Sequence, residues 1–229
     1  MILNTLEQNI NHLAQNIGFV ACGITKAEPM MDELRFFEEY LSEGRNAKMI
    51  YLGRNLNKRL NPELLFEGVQ SAVVLLDKIP QNCDYHSIMR TKVNLLIAEM
   101  KIIFPEADFR GFVDTAPVLE KSLAIKAGLG WRGKNTLLIN EKFGAKTNIA
   151  VIFTNALFDN YSTSYNAHNC NNCTRCIDAC PTHALIAPYK LDARLCLAYT
   201  EFGLPRMRNE KTDKDEGNCN ICRNVCPFS

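Results

Sequence analysis

Eight of the ten cysteines in this 229-residue chain fall between Cys170 and Cys226, at spacings that suit metal rather than disulfide chemistry. The run Cys170-x2-Cys173-x2-Cys176-x3-Cys180-Pro181 is the bacterial ferredoxin pattern for 4Fe–4S clusters. Three closely spaced thiolates wrap one face of a cubane, and the x3-Cys-Pro turn throws the fourth toward a second cluster. The second half, Cys219-x2-Cys222-x3-Cys226-Pro227, has no thiol close before Cys219, and Cys196 is the obvious substitute. The assignment then closes without remainder. One cluster takes Cys170, Cys173, Cys176 and Cys226; the other takes Cys180, Cys196, Cys219 and Cys222. The rival reading is two structural zinc sites, but zinc modules usually join paired CxxC knuckles and do not interleave through x3-Cys-Pro. Cys22 and Cys83 stand alone and read as small buried residues.

Outside the tail, several side chains could do chemistry or could simply hold structure. Asp114 closes a predicted strand ahead of a helix, where catalytic carboxylates often sit in α/β folds and where helix N-caps also sit. Asp84 stands likewise before a long helix, followed by Tyr85 and His86. Arg59 is either a ligand contact or an ordinary surface charge, and His168 and His183 flank the cysteine motif. The stretch Gly128-Leu-Gly-Trp-Arg-Gly133-Lys134-Asn135 nearly matches the phosphate loop G-x-x-x-x-G-K-[ST]. Asn135 replaces the magnesium-binding hydroxyl, and the stretch runs from helix to strand, the reverse of the phosphate-binding order. Its glycines and Trp131 point to backbone pressed against a bulky group, or to tight packing alone.

The elements that must position these residues follow from hydrophobic periodicity. Leu3, Leu6, Ile10, Leu13 and Ile17 recur at helical spacing before Gly18, and 19–25 reads as a strand. A helix over 29–44 turns Leu34, Phe37 and Leu41 inward, and 49–61 reads as loop and helical turns. A buried strand at 71–77, a long helix at 84–104, a strand at 109–113 and a helix at 117–127 with Gly128 as cap follow. Two strands at 136–140 and 148–154, joined by a turn at Phe143-Gly144, complete the set. Residues 1–160 are thus expected to form an α+β (α/β) domain, three layers about a mixed sheet. Residues 155–169, rich in Asn, Ser and Tyr, read as a linker. Residues 161–229 form a ferredoxin-like unit that leans on its two 4Fe–4S clusters for stability.

Composition narrows the class. Apolar residues at 47% and charged residues at 22% exclude a disordered or fibrous chain. The longest apolar runs, 72–76 and 149–153, are too short to span a bilayer, and the N-terminus lacks the basic start and apolar core of a signal peptide. A soluble, cytoplasmic protein with no membrane partner is expected. Lys and Arg number 26 against 25 Asp and Glu, so bulk charge predicts no nucleic-acid partner.

Four stretches converge on one family. They are Arg59-Leu-Asn-Pro62-Glu-Leu-Leu-Phe66; Asp84-Tyr85-His86; Val113-Asp114-Thr-Ala-Pro117-Val-Leu-Glu120 continuing through 127–136; and Cys173-Thr-Arg-Cys-Ile-Asp-Ala-Cys-Pro181-Thr182 with 191–196. In that order they resemble the epoxyqueuosine reductases, cobalamin-dependent iron–sulfur enzymes of transfer-RNA modification. The resemblance implies a cobalamin-binding α/β domain related to reductive dehalogenases, followed by a ferredoxin-like domain. It implies that Asp114 is the proton donor and that Asp84, Tyr85 and His86 lie near the substrate. It further implies that Arg59, Lys134, Asn135, Leu138 and Ile149 border the corrinoid, with Ala198 facing it from the iron–sulfur side. The reaction implied is reduction of epoxyqueuosine in tRNA to queuosine, or of a related small electrophile. Its electrons would come from a reduced flavodoxin or ferredoxin-type donor. Removing an epoxide oxygen to leave an alkene takes two electrons and two protons, so a carboxylic acid beside the reacting centre is chemically coherent.

Three features depart from the family. The chain ends at Ser229, where typical members continue into a helical-repeat domain that helps hold tRNA. The segment between Asp77 and Asp84 is about twenty residues shorter than the family's, and acidic residues at 213–216 precede Cys219, where a phosphate backbone would be disfavoured. Two other classes of function therefore stand beside the enzyme: a corrinoid-reducing or reactivating protein, and a ferredoxin-like electron-transfer protein. Only the enzyme needs an acid at Asp114.

Overall fold

A computed structural model describes residues 5–78, 84–114, 116–163, 170–202 and 219–229; Cys83, His168 and the acidic stretch 213–216 lie outside the described residues. In chain order come α1 (Leu6–Ile17), β1 (Ala21–Lys26), α2 (Leu34–Ser42), α3 (Tyr51–Arg54), α4 (Leu56–Leu60) and β2 (Ser71–Lys78). Next are α5 (Tyr85–Ile103), β3 (Phe109–Val113), α6 (Glu120–Lys126), β4 (Trp131–Arg132), β5 (Leu138–Ile139) and β6 (Thr147–Thr154). The cysteine-rich tail adds α7 (Arg175–Asp178), β7 (Leu185–Ala187), β8 (Lys190–Leu191), α8 (Leu197–Phe202) and α9 (Ile221–Asn224). Among the described residues, no helix is long and apolar enough to cross a membrane.

The fold is α+β, built on a four-stranded sheet in the order β1-β2-β6-β3. Helix–strand alternation predicts a mixed sheet, yet all three neighbouring pairs are antiparallel. β1 leads back into its neighbour β2 and β3 into its neighbour β6, each return reversing the strand, while α5 carries the chain across from β2 to β3, and β6 fills the place between those two. Side chains alternate between two faces, as the pleat requires. Ile24, Val73, Leu75 and Ile152 pack under α1 and α5 with Ile10, Val93 and Leu96. Ala72, Val74, Leu76, Val151 and Phe153 pack against Leu123 and Ala124 of α6, with Leu34 and Phe37 of α2 at the margin. These are the three expected layers. β2 is buried from 71 to 77, as its unbroken apolar run demands.

The helix predicted over 117–127 begins three residues later, at Glu120. Asp114 does not cap it: the N-cap position is Leu119, without a side-chain hydrogen bond. The backbone at Asp114 instead turns left-handed, with φ +54°. At α5 the capping role is real, for the Asp84 carboxylate accepts from His86 N at 3.0 Å.

The predicted hairpin between 136–140 and 148–154 does not form. Leu138 and Ile139 pair with Arg132 and Trp131, while β6 enters the main sheet. Gly130, at φ +147°, permits this close approach, because a Cβ there would lie 2.1 Å from Ile139 O. Trp131 is fully buried, with its ring edge-on to Phe228 at 4.9 Å. The bulky group pressed against this backbone is therefore the chain itself. The described part of the 155–169 stretch is also packed. Phe158 enters the core, and Ser162 exchanges hydrogen bonds with Ile24 (2.8 and 2.9 Å), covering the open edge of β1.

The tail seats on the preceding residues through polar as well as apolar contacts. Arg45, fully buried, reaches Glu39 at 3.2 Å and Glu43 at 2.8 Å, and Lys190 binds the same Glu39. Ala193 N donates to Arg45 O at 2.9 Å, and Lys48 N to Tyr199 Oη at 3.0 Å. Cys170, Cys226 and Phe228 pack on Trp131, Ile139 and Ala145.

Candidate functional site

Three elements bring their ends together around Asp114. β3 delivers it just past its C-terminal end, α5 delivers Tyr85 and His86 from its first turn, and α6 delivers Glu120 from its own. Tyr85 Oη donates to Asp114 Oδ2 at 2.8 Å, and His86 Nε2 lies 3.7 Å from the same oxygen. The Tyr85 and His86 rings stack at 4.0 Å, which fixes both relative to the carboxylate. Burial and the bond to Asp114 push the Tyr85 phenol above its ordinary range, so it remains a donor at physiological pH. Asp114 N donates to Glu120 Oε1 at 2.9 Å. Burial lifts the Glu120 carboxyl to about 7.

Beside this corner lies a cavity of about 290 Å³. Phe36, Phe37, Leu52, Val118 and Leu119 give it an apolar wall, and Arg59, Glu120, Lys121 and Arg132 give it charge. Burial draws the Arg59 guanidinium below its ordinary range. Its buried Nε has no hydrogen-bond partner among the described residues. Lys121 is depressed by desolvation first and by Arg132 and Arg223 next. Its ammonium donates to Thr136 O at 3.1 Å.

A second cavity, of about 380 Å³, shares Lys121, Thr136 and Leu191 with the first and is lined by Cys180, Cys196, Cys219 and Cys222, with Ala198 beside them. A third is lined by Cys170, Cys173, Cys176 and Cys226, together with Lys134. Asn135 stands between the second and third, 4% exposed, with its Nδ2 donating to Cys222 O at 3.1 Å. Among the described residues, no three His, Cys, Asp or Glu side chains converge tightly enough to hold a single ion. Thiols ringed about a void match a four-iron cubane, which takes one thiolate per iron, better than a tetrahedral zinc. Burial pushes the Cys222 thiol up to about 11, so a thiolate there calls for cations alongside, as iron would provide.

The remaining predicted residues are placed as follows. Lys134 Nζ donates to Asn171 O at 2.6 Å on the wall of the third cavity. Leu138 is buried in the main core and Ile149 is packed at its margin; neither lines the three cavities. Burial pushes the Cys22 thiol up to about 12, which leaves it inert. Neither Glu120 nor Lys121 stood out in the sequence as a functional residue. The signal that could have found them is two adjacent charges opening a helix, one turn after a strand-end aspartate.

Comparison with known proteins adds to this geometry. Residues 169–229 match the family model described as a 4Fe-4S double cluster binding domain. The epoxyqueuosine reductase of Cyclobacterium marinum is 33% identical over 254 residues, covering 99% of this chain and 81% of that protein. A crystal structure of epoxyqueuosine reductase with a tRNA-Tyr epoxyqueuosine-modified stem loop superposes with a TM-score of 0.84 at 24% identity. That match covers 97% of this chain and 65% of that one, so the chain spans about two thirds of the solved reductase. A reductive dehalogenase described in terms of B12-dependent dehalogenation shares the fold at a TM-score of 0.57 and 18% identity, covering 96% of this chain and 31% of that one.

Proposed function

We propose that this chain, which belongs to the epoxyqueuosine reductase family, reduces the epoxide of epoxyqueuosine in tRNA to the alkene of queuosine. The observation that carries the reading is continuity. The cavity beside Asp114 shares its wall with the cavity of Cys180, Cys196, Cys219 and Cys222, and Asn135 joins that one to the cavity of Cys170, Cys173, Cys176 and Cys226. Electrons entering at the outer thiol set have a short route inward to the acid corner. The reading assigns residues 1–160 to the corrinoid and the substrate, and 161–229 to the two clusters.

The first cavity fits a corrinoid by its chemistry. An apolar wall suits the face of a macrocycle, and Arg59, Lys121 and Arg132 suit the amide carbonyls at its rim. The unpartnered Arg59 Nε is a donor in search of such an acceptor. Ala198 and Asn135 would approach from the cluster side. A bound corrinoid would supply a low-potential cobalt that takes electrons singly and delivers them to the substrate.

The chain's own residues manage the protons. Loss of the epoxide oxygen as water consumes two electrons and two protons, and Asp114 gives a proton to the departing oxygen. Tyr85 holds the Asp114 carboxyl in place through its Oη. The Asp114 side chain is 56% exposed, so a substrate seated over it supplies the desolvation that the chain alone does not. Electrons would arrive from a reduced flavodoxin or ferredoxin-type donor at the open depression beside Cys226, walled by Arg175, Asp178 and Asn224. A cytoplasmic site of action follows from a tRNA substrate and reduced thiols.

The test is an anaerobic one. The cluster-loaded protein is given cob(II)alamin, reductant and epoxyqueuosine-containing tRNA, and queuosine formation is followed by nucleoside analysis. Wild type is expected to turn over, with one corrinoid taken up per chain and its cobalt resonance perturbed. Asp114→Asn should lower turnover by about 10² or more while leaving iron content and corrinoid uptake intact. Corrinoid uptake without turnover on this tRNA would favour the reactivating role. Loaded clusters without corrinoid uptake would favour an electron carrier.

A further inference from the structure

We infer that Glu120 is the positioning residue for Asp114: its carboxylate grips the Asp114 backbone amide and thereby holds the acid in the left-handed turn that presents it to Tyr85 and His86. The inference rests on the reading of Asp114 as the proton donor and goes beyond it, because it asks what keeps that side chain in place.

Asp114 occupies a left-handed conformation that residues other than glycine adopt only at a cost. Such a turn persists only where surrounding contacts impose it. Among the described residues, three contacts reach it, from two helices. Tyr85 and His86 touch the carboxylate and not the main chain, so they orient the side chain without fixing the backbone turn. Among the described residues, only Glu120 binds the main chain there, through Asp114 N at 2.9 Å. The late start of α6 is what places Glu120 there. Had the helix begun at Pro117, the first-turn carboxylate would sit a turn further along. The grip is local, and it is made by a carboxylate that the packing resists burying.

The groups facing Glu120 come from every element around it. Arg59 of α4 and Lys121 of α6 favour its ionised form, while Asp114 at the end of β3 opposes it; the Tyr85 phenol of α5 also lies within electrostatic reach. Desolvation outweighs them, and the carboxyl titrates near neutrality. An ionised carboxylate accepts an amide hydrogen bond about twice as strongly as a neutral one. The grip is therefore firm above about pH 7 and weakens below it.

Two measurements on the cluster-loaded chain test this. The first is amide hydrogen exchange in a peptide spanning 113–116, which needs neither corrinoid nor substrate. Protection at Asp114 N should fall about tenfold in Glu120→Ala, and in wild type it should decline as pH drops through neutrality. Glu120→Gln, which keeps an uncharged acceptor, should show intermediate protection that does not vary with pH once intrinsic exchange is removed. Equal protection in wild type and Glu120→Ala would overturn the inference. The second is turnover in the assay above. Glu120→Ala should lose at least tenfold in kcat with KM within about twofold, and Glu120→Gln should lose less and flatten the acid limb of the profile. A kcat for Glu120→Ala at the wild-type level would overturn the inference. A wild-type protein inert on epoxyqueuosine tRNA would instead count against the proposed function, and the exchange measurement would still decide the role of Glu120.

Discussion

Replacing Glu120 by Gln should make the protein more stable, and by an amount that depends on pH. Burial lifts the Glu120 carboxyl to about 7 in the folded chain, against 4.5 as its ordinary value. Because the folded value is the higher one, the unfolded chain binds fewer protons between about pH 4.5 and 7, and stability falls as pH rises through that window. Relative to a group that stays neutral, the deficit is about 1 kcal/mol near pH 5.5 and about 3 kcal/mol near pH 8. Gln carries no charge and keeps the acceptor for Asp114 N, so it should recover that amount. For a chain of this length, 1 kcal/mol moves the melting midpoint by about 2–4 °C. The variant should therefore melt roughly 2–4 °C above wild type near pH 5.5 and roughly 6–12 °C above it near pH 8. The assay is anaerobic thermal unfolding of the cluster-loaded proteins, followed by helical circular dichroism at one scan rate, since cluster loss makes unfolding irreversible. A gap that stays constant with pH, or a variant less stable than wild type at pH 8, would refute the burial argument. A confirmed gap would mark Glu120 as a place where the fold gives up stability for function.

Three further outcomes follow from particular contacts. Tyr85→Phe removes the donor to Asp114 Oδ2, and kcat should fall about ten- to a hundredfold with iron content unchanged, measured in the queuosine assay. Cys226→Ser should lower bound iron from about eight to about four per chain, with loss of the cluster held by Cys170, Cys173 and Cys176; loss of the other cluster would overturn the interleaved ligand sets. Gly23→Ala would drive a Cβ to 2.2 Å from Ala127 O, a main-chain atom that cannot swing aside, and should cost about 1–3 kcal/mol in thermal unfolding.

Much of the architecture was legible because its causes are local in sequence. The apolar run at 72–76 identifies a strand buried on both faces, and the spacing of Ile10, Leu13 and Ile17 before Gly18 identifies a capped helix. The two sets of thiols could be written down from spacing, because a cubane recruits its first ligands from one short turn; the structure gathers each set around its own cavity. Strand partners were harder. Leu138 and Ile139 have the β-propensity of a main-sheet strand, but the glycine at 130 and the bulk of Trp131 draw them to β4 instead. The polar stretch at 161–163 reads as linker, yet an open strand edge at Ile24 needs its amide and carbonyl paired, and Ser162 pairs them.

By itself the sequence determined the division of the chain, the kind of metal its tail can hold, and the layers that carry Asp114 to an edge. These depend on spacings of a few residues and on periodicities that any chain segment declares alone. Only the tertiary structure decided that Glu120 meets the amide of Asp114, that Lys121 and Thr136 form a wall between two cavities, and that Asn135 stands between two sets of thiols. Those contacts join residues from separate elements, and the burial that shifts Glu120 and Lys121 exists only after the layers have closed around them.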